Sequence, residues 1–180
     1  MPRAARPAAP ADDLATAAKA RDSGHGPLTA ELTDFCQSGI SIVLGSRSAD
    51  GFPVAGRALA CIIGPTGVVR LLLAQAPNRP LLAAIARGGA IAATFTRPQN
   101  HRSIQLKSSR ARLGECAPHE RSVVEAQCAG LVDELMGVGY SEPFAATYCA
   151  WKDRDLVAIE FAVEGAFVQT PGPGAGSALP

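Results

Sequence analysis

Between Asp50 and Glu115 the chain has no acidic residue, yet nine fixed cations fall in that window: Arg57, Arg70, Arg79, Arg87, Arg97, Arg102, Lys107, Arg110 and Arg112. All 16 carboxylates lie outside it, and the formal net charge of the whole chain is only +1. Charge of one sign gathered in one stretch attracts an anion and keeps competing carboxylates at a distance in sequence. Three places in the window have residue types suited to that chemistry. In the stretch from His101, strand alternation puts His101, Ser103, Gln105 and Lys107 on one face, a row of polar groups at the reach of a phosphate or a polar ring edge. Arg57 stands inside the otherwise apolar run GRALACII, where a guanidinium needs an anionic partner or solvent. Asn78-Arg79-Pro80 precedes a helix start, where backbone N–H groups and the Arg79 fork favour an anion. Each has a plain alternative: a solvated edge strand, an outward-facing arginine in water, and a loop that caps its own helix. Arg70, Arg87 and Arg97 read as ordinary surface charge in turns or at exposed edges.

Other chemistries find less support. The five cysteines (Cys36, Cys61, Cys116, Cys128 and Cys149) are odd in number, widely spaced and without a CxxC pair. That pattern fits reduced thiols in the cytoplasm better than a disulfide framework or a zinc site. Cys61 lies among apolar residues and reads as core. His25, His101 and His119 have no metal-ligand spacing, and the chain lacks GxSxG, Walker and HExxH motifs. Gly172-Pro173-Gly174-Ala175-Gly176 is a weak phosphate-loop signal, because it carries a proline and no helix pattern follows. No apolar run reaches the roughly 20 residues of a membrane helix. A nucleic-acid binder would carry a larger basic excess, and only Phe52 and Phe95 are interleaved with the cations as stacking platforms.

The elements that must position these residues follow from periodicity and turn chemistry. The reading is one domain over 28–170, with a mobile N-terminal tail (1–27, at most one loose helical turn) and a Gly/Pro-rich C-terminal tail (171–180). Thr29 caps a short helix over 28–38, closed by Gly39. Strands are expected over 40–46, 53–63, 68–74, 90–96, 101–113, 156–163 and 165–169, with helices over 80–87, 118–137 and 144–151. Val123, Cys128, Leu131, Val132 and Leu135 form the apolar stripe of the long helix. The apolar phase of 101–113 reverses between Leu106 and Ala111, which predicts a bulge or kink near Ser108-Ser109. Five or six short strands at hairpin spacing, interrupted by helices, indicate an α+β protein built on an antiparallel barrel. Much of the apolar content is alanine, so a second subunit is expected to complete the core.

The segments GRALACII, LLLAQAPNRPLLAAIARGGAIAATF and HRSIQLKSSRARL, in this order and spacing, resemble the pyridoxamine 5′-phosphate oxidase-like family of FMN-binding split barrels. The ending FVQTPGPGAG resembles that of small members of the same family. The likeness covers roughly residues 28–176. It implies a split β-barrel, an antiparallel Greek-key barrel of about six strands with flanking helices, and a homodimer with FMN at the subunit interface. It also implies site residues. Arg57 matches the arginine that holds the FMN phosphate, and the strand through Ala58, Leu59 and Ile62 passes the flavin ring. Ala74 and Gln75 match a main-chain contact region, and Asn78-Arg79 match the basic phosphate ligands. Ser103 aligns with a flavin-contacting glutamine, with Arg102 and Gln105 near enough to replace it. Two features of the true oxidases are absent: Ile62 stands where they have lysine, and their C-terminal arginine-proline signature is missing. The implied function is an FMN-dependent oxidoreductase of unknown substrate. The alternative is a non-enzymatic protein that binds or senses a flavin, a deazaflavin or haem.

Overall fold

The computed structural model describes residues 6–21 and 28–179; the ends of the expected N-terminal tail (1–5 and 22–27) lie outside the described residues. In chain order the elements are α1 (Pro10–Arg21), α2 (Ala30–Cys36), β1 (Ser41–Arg47), β2 (Pro53–Ala58), β3 (Ala60–Ile63), β4 (Val68–Ala74), α3 (Arg79–Ile85), β5 (Ile91–Thr96), β6 (Ser103–Ser108), β7 (Arg112–Glu115), α4 (Arg121–Gly137), α5 (Glu142–Tyr148), β8 (Leu156–Ala162), β9 (Gly165–Val168) and β10 (Ala178–Leu179). The chain is thus α+β, with two antiparallel sheets and flanking helices. One sheet has the order β10-β9-β6-β5-β1-β2, the other β3-β4-β8-β7.

The count of about six strands is corrected to ten among the described residues. Two long runs read as single strands each cross from one sheet to the other and are divided there. The run 53–63 is β2 at the edge of the large sheet until Ala58, then β3 at the edge of the small sheet from Ala60. At the crossing, Leu59 N–H already donates to Leu72 O in the small sheet, at 2.8 Å. The second run is divided into β6 and β7 at residues 109–111, so the phase reversal near Ser108-Ser109 marks a change of sheet. His101, expected on the polar face of this strand, lies in the turn before it with φ 61°.

The inner faces of the two sheets make the main core. Ile42, Leu44, Phe95, Ile104 and Leu106 of the large sheet pack with Val69, Leu71, Leu73, Ile159 and Phe161 of the small one. A second core lies beyond the small sheet, where Leu59, Leu72 and Ala158 meet Val124, Cys128, Leu131 and Cys149. The small sheet is therefore covered on both faces. The outer face of the large sheet carries Val43, 49% exposed, with Thr94 and Gln105 half-buried beside it.

Because 53–63 is an edge strand in both sheets, its outward N–H and C=O groups need partners other than a strand. Three side-chain amides supply them. Asn78 Oδ1 accepts from Arg57 N–H (2.9 Å) and its Nδ2 donates to Arg57 O (3.1 Å). Gln127 on α4 repeats this at Cys61, with bonds of 2.9 and 2.7 Å. Gln37 Oε1 accepts from Ile63 N–H at 2.9 Å. Two close approaches bring these amides into place. A Cβ on Gly56 would collide with Asn78 Oδ1 and lie 2.7 Å from Leu81 Cδ2. A Cβ on Gly39 would lie 2.7 Å from Gln127 O, and Gly39 also has a φ of 72°, which favours glycine.

Residues 10–21, read as tail, form a helix instead. Few apolar residues mark it, and tertiary contacts hold it. Asp13, 5% exposed, pairs with Arg102 and accepts from the Thr170 hydroxyl, while Ala17 is buried. The Gly/Pro-rich ending likewise returns as β10, paired with β9. Arg70 also departs from its reading as surface charge. It lies mid-strand in β4, and its guanidinium bridges Glu120 and Glu160 and donates to Glu115 O. Glu120 in turn accepts from Ala117 N–H at the start of the turn leading into α4.

Two outcomes follow. Gly56→Ala should lower stability by about 1–3 kcal/mol through overpacking, read as a reduced Tm. The hydrogen-bonded Arg70 guanidinium holds the Glu120 carboxyl below its ordinary value, aided by Ala117 N–H and opposed by burial. A carboxyl depressed in the folded state contributes stability above the ordinary carboxylate range and loses it as pH falls through its folded value. Glu120→Gln should therefore cost about 1.5–3 kcal/mol at neutral pH. In parallel urea titrations, the gap to the unmodified protein should close as the solution is acidified below about pH 4.

Candidate anion site

Arg57 is the centre of the group that the fold brings together. Asn78 binds its N–H and C=O, and the same Asn78 Nδ2 donates to Ala74 O at 2.7 Å. This one side chain joins β2 to the end of β4 and to the turn that leads into α3. Arg57, Ala74, Gln75, Asn78 and Arg79 are therefore neighbours, as the sequence reading places them. Gln75 N–H donates to Asp155 O at 2.7 Å. Arg79 is exposed and pairs with no carboxylate among the described residues. Asn78 is 2% exposed with both ends of its amide committed, so it is a structural clamp here.

The Arg57 guanidinium lies over the ring of Tyr148 on α5, 4.0 Å from the centroid. Its Nη1 is buried and has no hydrogen-bond partner. No carboxylate pairs with it among the described residues, in contrast to four other arginines of the window. Arg70 pairs with Glu120 and Glu160, Arg97 with Glu134, Arg102 with Asp13 and Glu31, and Arg112 with Glu160. A buried guanidinium N–H without an acceptor costs about 1–3 kcal/mol. Arg57 is accordingly the cation best prepared for an anion from outside.

The remaining sequence candidates divide. Strand register sets Arg57, Val43, Thr94 and Gln105 in one row across the large sheet. Gln105 Nε2 donates to Thr94 Oγ1 at 2.8 Å. Three strand spacings separate Arg57 from Gln105, roughly 14 Å. A ligand touching both must extend along the sheet, or else the two belong to separate sites. Lys107, one row over, and Arg47 at the end of β1 border an open groove that Val43, Thr94 and Gln105 also line and Arg57 does not, floored by the small residues Gly45, Ala55 and Ala92.

Arg102 does not join this group. Its donors go to Asp13 and Glu31, and its face lies on Phe35 at 4.2 Å. Ser103 is 6% exposed; its hydroxyl contacts Thr96 Oγ1 at 2.9 Å and its N–H donates to Thr170. Ala58 and Leu59 are buried core, and Ile62 packs against the second core. The strand edge expected to pass a flavin ring is occupied at Cys61 and Ile63 by Gln127 and Gln37. Sequence reasoning missed both of these glutamines, and it missed Tyr148. For Tyr148 a signal existed: Tyr140, Phe144 and Tyr148 recur every four residues, and their rings stack with centroids 4.7 and 6.4 Å apart.

Thiol and metal chemistry have little footing here. Burial pushes the Cys36 and Cys128 thiols up to about 12 and raises Cys61, Cys149 and Cys116 as well. No cluster of three metal-ligating side chains occurs among the described residues, and no helix among them is long and apolar enough to cross a membrane. Cys116 is the one cysteine not buried. Ellman's reagent at neutral pH should therefore label Cys116 first, and Cys116→Ala should leave native labelling slow until denaturant frees the other four.

No protein-family profile and no curated protein matches the chain. Solved structures do. A candidate pyridoxamine 5′-phosphate oxidase from Lactobacillus delbrueckii is 16% identical, with 78% of this chain and 93% of that one covered and a TM-score of 0.48. An F420 reductase is 15% identical over 74% and 93%, with a TM-score of 0.46. A pyridoxamine 5′-phosphate oxidase-related, FMN-binding protein from Nostoc punctiforme is 10% identical over 83% and 89%, with a TM-score of 0.42. The Lactobacillus and Nostoc proteins carry the family name that the sequence resemblance suggests. At such identities the functional argument rests on this chain's own residues.

Proposed function

We propose that this chain binds FMN as a split-barrel protein, working as a homodimer with cofactor at the subunit interface and serving as an oxidoreductase. The observation that carries the reading is Arg57: a guanidinium held in place from its backbone, with a buried N–H lacking an acceptor and no carboxylate partner among the described residues. A phosphate monoester supplies oxygens of the right charge and fork geometry. Arg79, one residue beyond the Asn78 clamp, adds a second charge from the exposed side. FMN, when bound, supplies the capacity to accept hydride at its flavin N5. The chain's part is to hold the phosphate through Arg57 and Arg79 and to present a floor of small residues to whatever lies flat upon it. The roughly 14 Å between Arg57 and Gln105 favours a shared arrangement, in which the phosphate lies on one subunit's Arg57 and the second subunit brings its own sheet face to the rest. No side chain is assigned as acid or base.

Flavin titration tests this. Quenching of FMN fluorescence should saturate in the micromolar range with one FMN per chain, and the protein should sediment as a dimer. Arg57→Ala should weaken FMN by about 10- to 150-fold, the worth of a charge-assisted bond, while leaving riboflavin nearly unaffected. Reduction of the bound flavin by NAD(P)H with turnover on an acceptor marks an enzyme, and tight binding without turnover marks a carrier or sensor. A folded protein that ignores FMN at high micromolar concentration ends the proposal.

A further inference from the structure

The chain contains its own comparison for the Arg57–Tyr148 contact. Arg102 also lies flat on an aromatic ring, with its guanidinium carbon 4.2 Å from the Phe35 centroid. While its face is occupied, its edge remains free to bind acids. Nε and Nη2 reach Asp13 Oδ1, each at 2.7 Å, and Nη1 reaches Glu31 Oε1 at 2.6 Å. Arg97 shows a looser form, 5.4 Å from the same ring and paired with Glu134. A guanidinium stacks through its π-face and hydrogen-bonds through its rim, so the two interactions coexist. Arg57 has the first half of this arrangement, with the ring face at 4.0 Å, and lacks the second. Among the described residues no carboxylate comes to its rim, where the Cys149 thiol is its neighbour, and Nη1 is buried without an acceptor.

Tyr148 is itself held in place. Its neighbours on α5 and just beyond, Ala145 and Cys149, are buried. Phe144 stacks on it at 6.4 Å with 17° between the ring planes, and Tyr140 continues the pile at 4.7 Å and 16°. Asn78 meanwhile fixes the backbone on both sides of the Arg57 Cα. The side chain is therefore clamped at its root and at its tip, which lowers the entropy lost when an anion binds.

We infer that Tyr148 is a positioning residue for an anion site at Arg57: its ring holds the guanidinium flat with the rim presented to a phosphate group, which occupies the place that Asp13 and Glu31 take at Arg102. This rests on the reading of Arg57 as the phosphate ligand, and it concerns the phosphate rather than the flavin ring.

The test compares Tyr148→Ala and Tyr148→Phe with the unmodified protein, using FMN, riboflavin and inorganic phosphate as probes. Affinity for the flavins is read by fluorescence and for phosphate by thermal stabilisation. The expected result is that Tyr148→Ala weakens FMN and inorganic phosphate by about tenfold, leaves riboflavin unchanged, and that Tyr148→Phe restores both to within about twofold. The Phe variant keeps the stack, so its rescue separates positioning from a general loss of fold, with melting curves confirming that both variants fold. If the protein binds inorganic phosphate in this Tyr148-dependent way but no flavin, the FMN assignment fails and the positioning role stands. Equal weakening of FMN and riboflavin, an unaltered FMN affinity in Tyr148→Ala, or no phosphate or FMN binding by the unmodified protein overturns it.

Discussion

A strand that leaves one sheet to join another carries an unpaired edge along its whole length, and this fold is organised around closing such an edge. Residues 53–63 form the outer strand of both sheets, so neither sheet can supply the missing partner. The chain answers with amide side chains that imitate a neighbouring strand, one from the turn before α3, one from α4 and one from the end of α2. Each acts on both edge satisfaction and placement. Asn78 sets the start of α3 against β2, Gln127 seats α4 on the small sheet, and Gln37 ties the end of α2 to the end of β3. The glycines at 56 and 39 are the steric condition for the Asn78 and Gln127 attachments. Removing the edge would leave these helices without their register on the sheets.

The candidate site grows out of the same requirement. Arg57 is fixed because its main chain is one of the edge positions that must be capped, so the tether costs the site nothing beyond what the fold already demands. The helical pair packed on the small sheet then brings Tyr148 over the guanidinium. Structural closure and ligand readiness thus fall on one residue. Four other arginines of the window, Arg70, Arg97, Arg102 and Arg112, have been absorbed by carboxylates from before Asp50 or after Glu115. What the sequence displays as a long one-signed field is, in the folded chain, partly neutralised, and of the window cations without a carboxylate among the described residues Arg57 is the one with a buried N–H lacking an acceptor.

Local patterns made much of the fold legible. The β-branched runs, the Gly turns and the Thr29 cap placed most strands and helices within a few residues, and the phase reversal after Leu106 located a change of sheet. The run 53–63 hid its own crossing, because both sheets bury its apolar side and no break in pattern marks Leu59. Arg70 looked like surface charge because its partners lie 50 and 90 residues onward. Around the site, Arg57, Ala74, Gln75 and Arg79 were legible as a neighbourhood through their likeness to known segments. Asn78 was noted for its position, but its clamp could not be read, since an asparagine before a helix looks like a cap. Arg102 and Ser103 were credited to the site because alternation reports a face and not what covers it. Their covering comes from Asp13 and Thr170, at opposite ends of the chain.

That last pairing bears on the order in which the molecule can assemble. Helix α1 leaves the ribosome before the segments it docks on, because its buried carboxylate has one partner 89 residues later and another 157 residues later. Short isolated helices with little apolar surface do not persist alone in water. Helix α1 is therefore made well before it can be secured. It docks only when the segments carrying Arg102 and Thr170 are in place, like a clasp fastened after the garment is on.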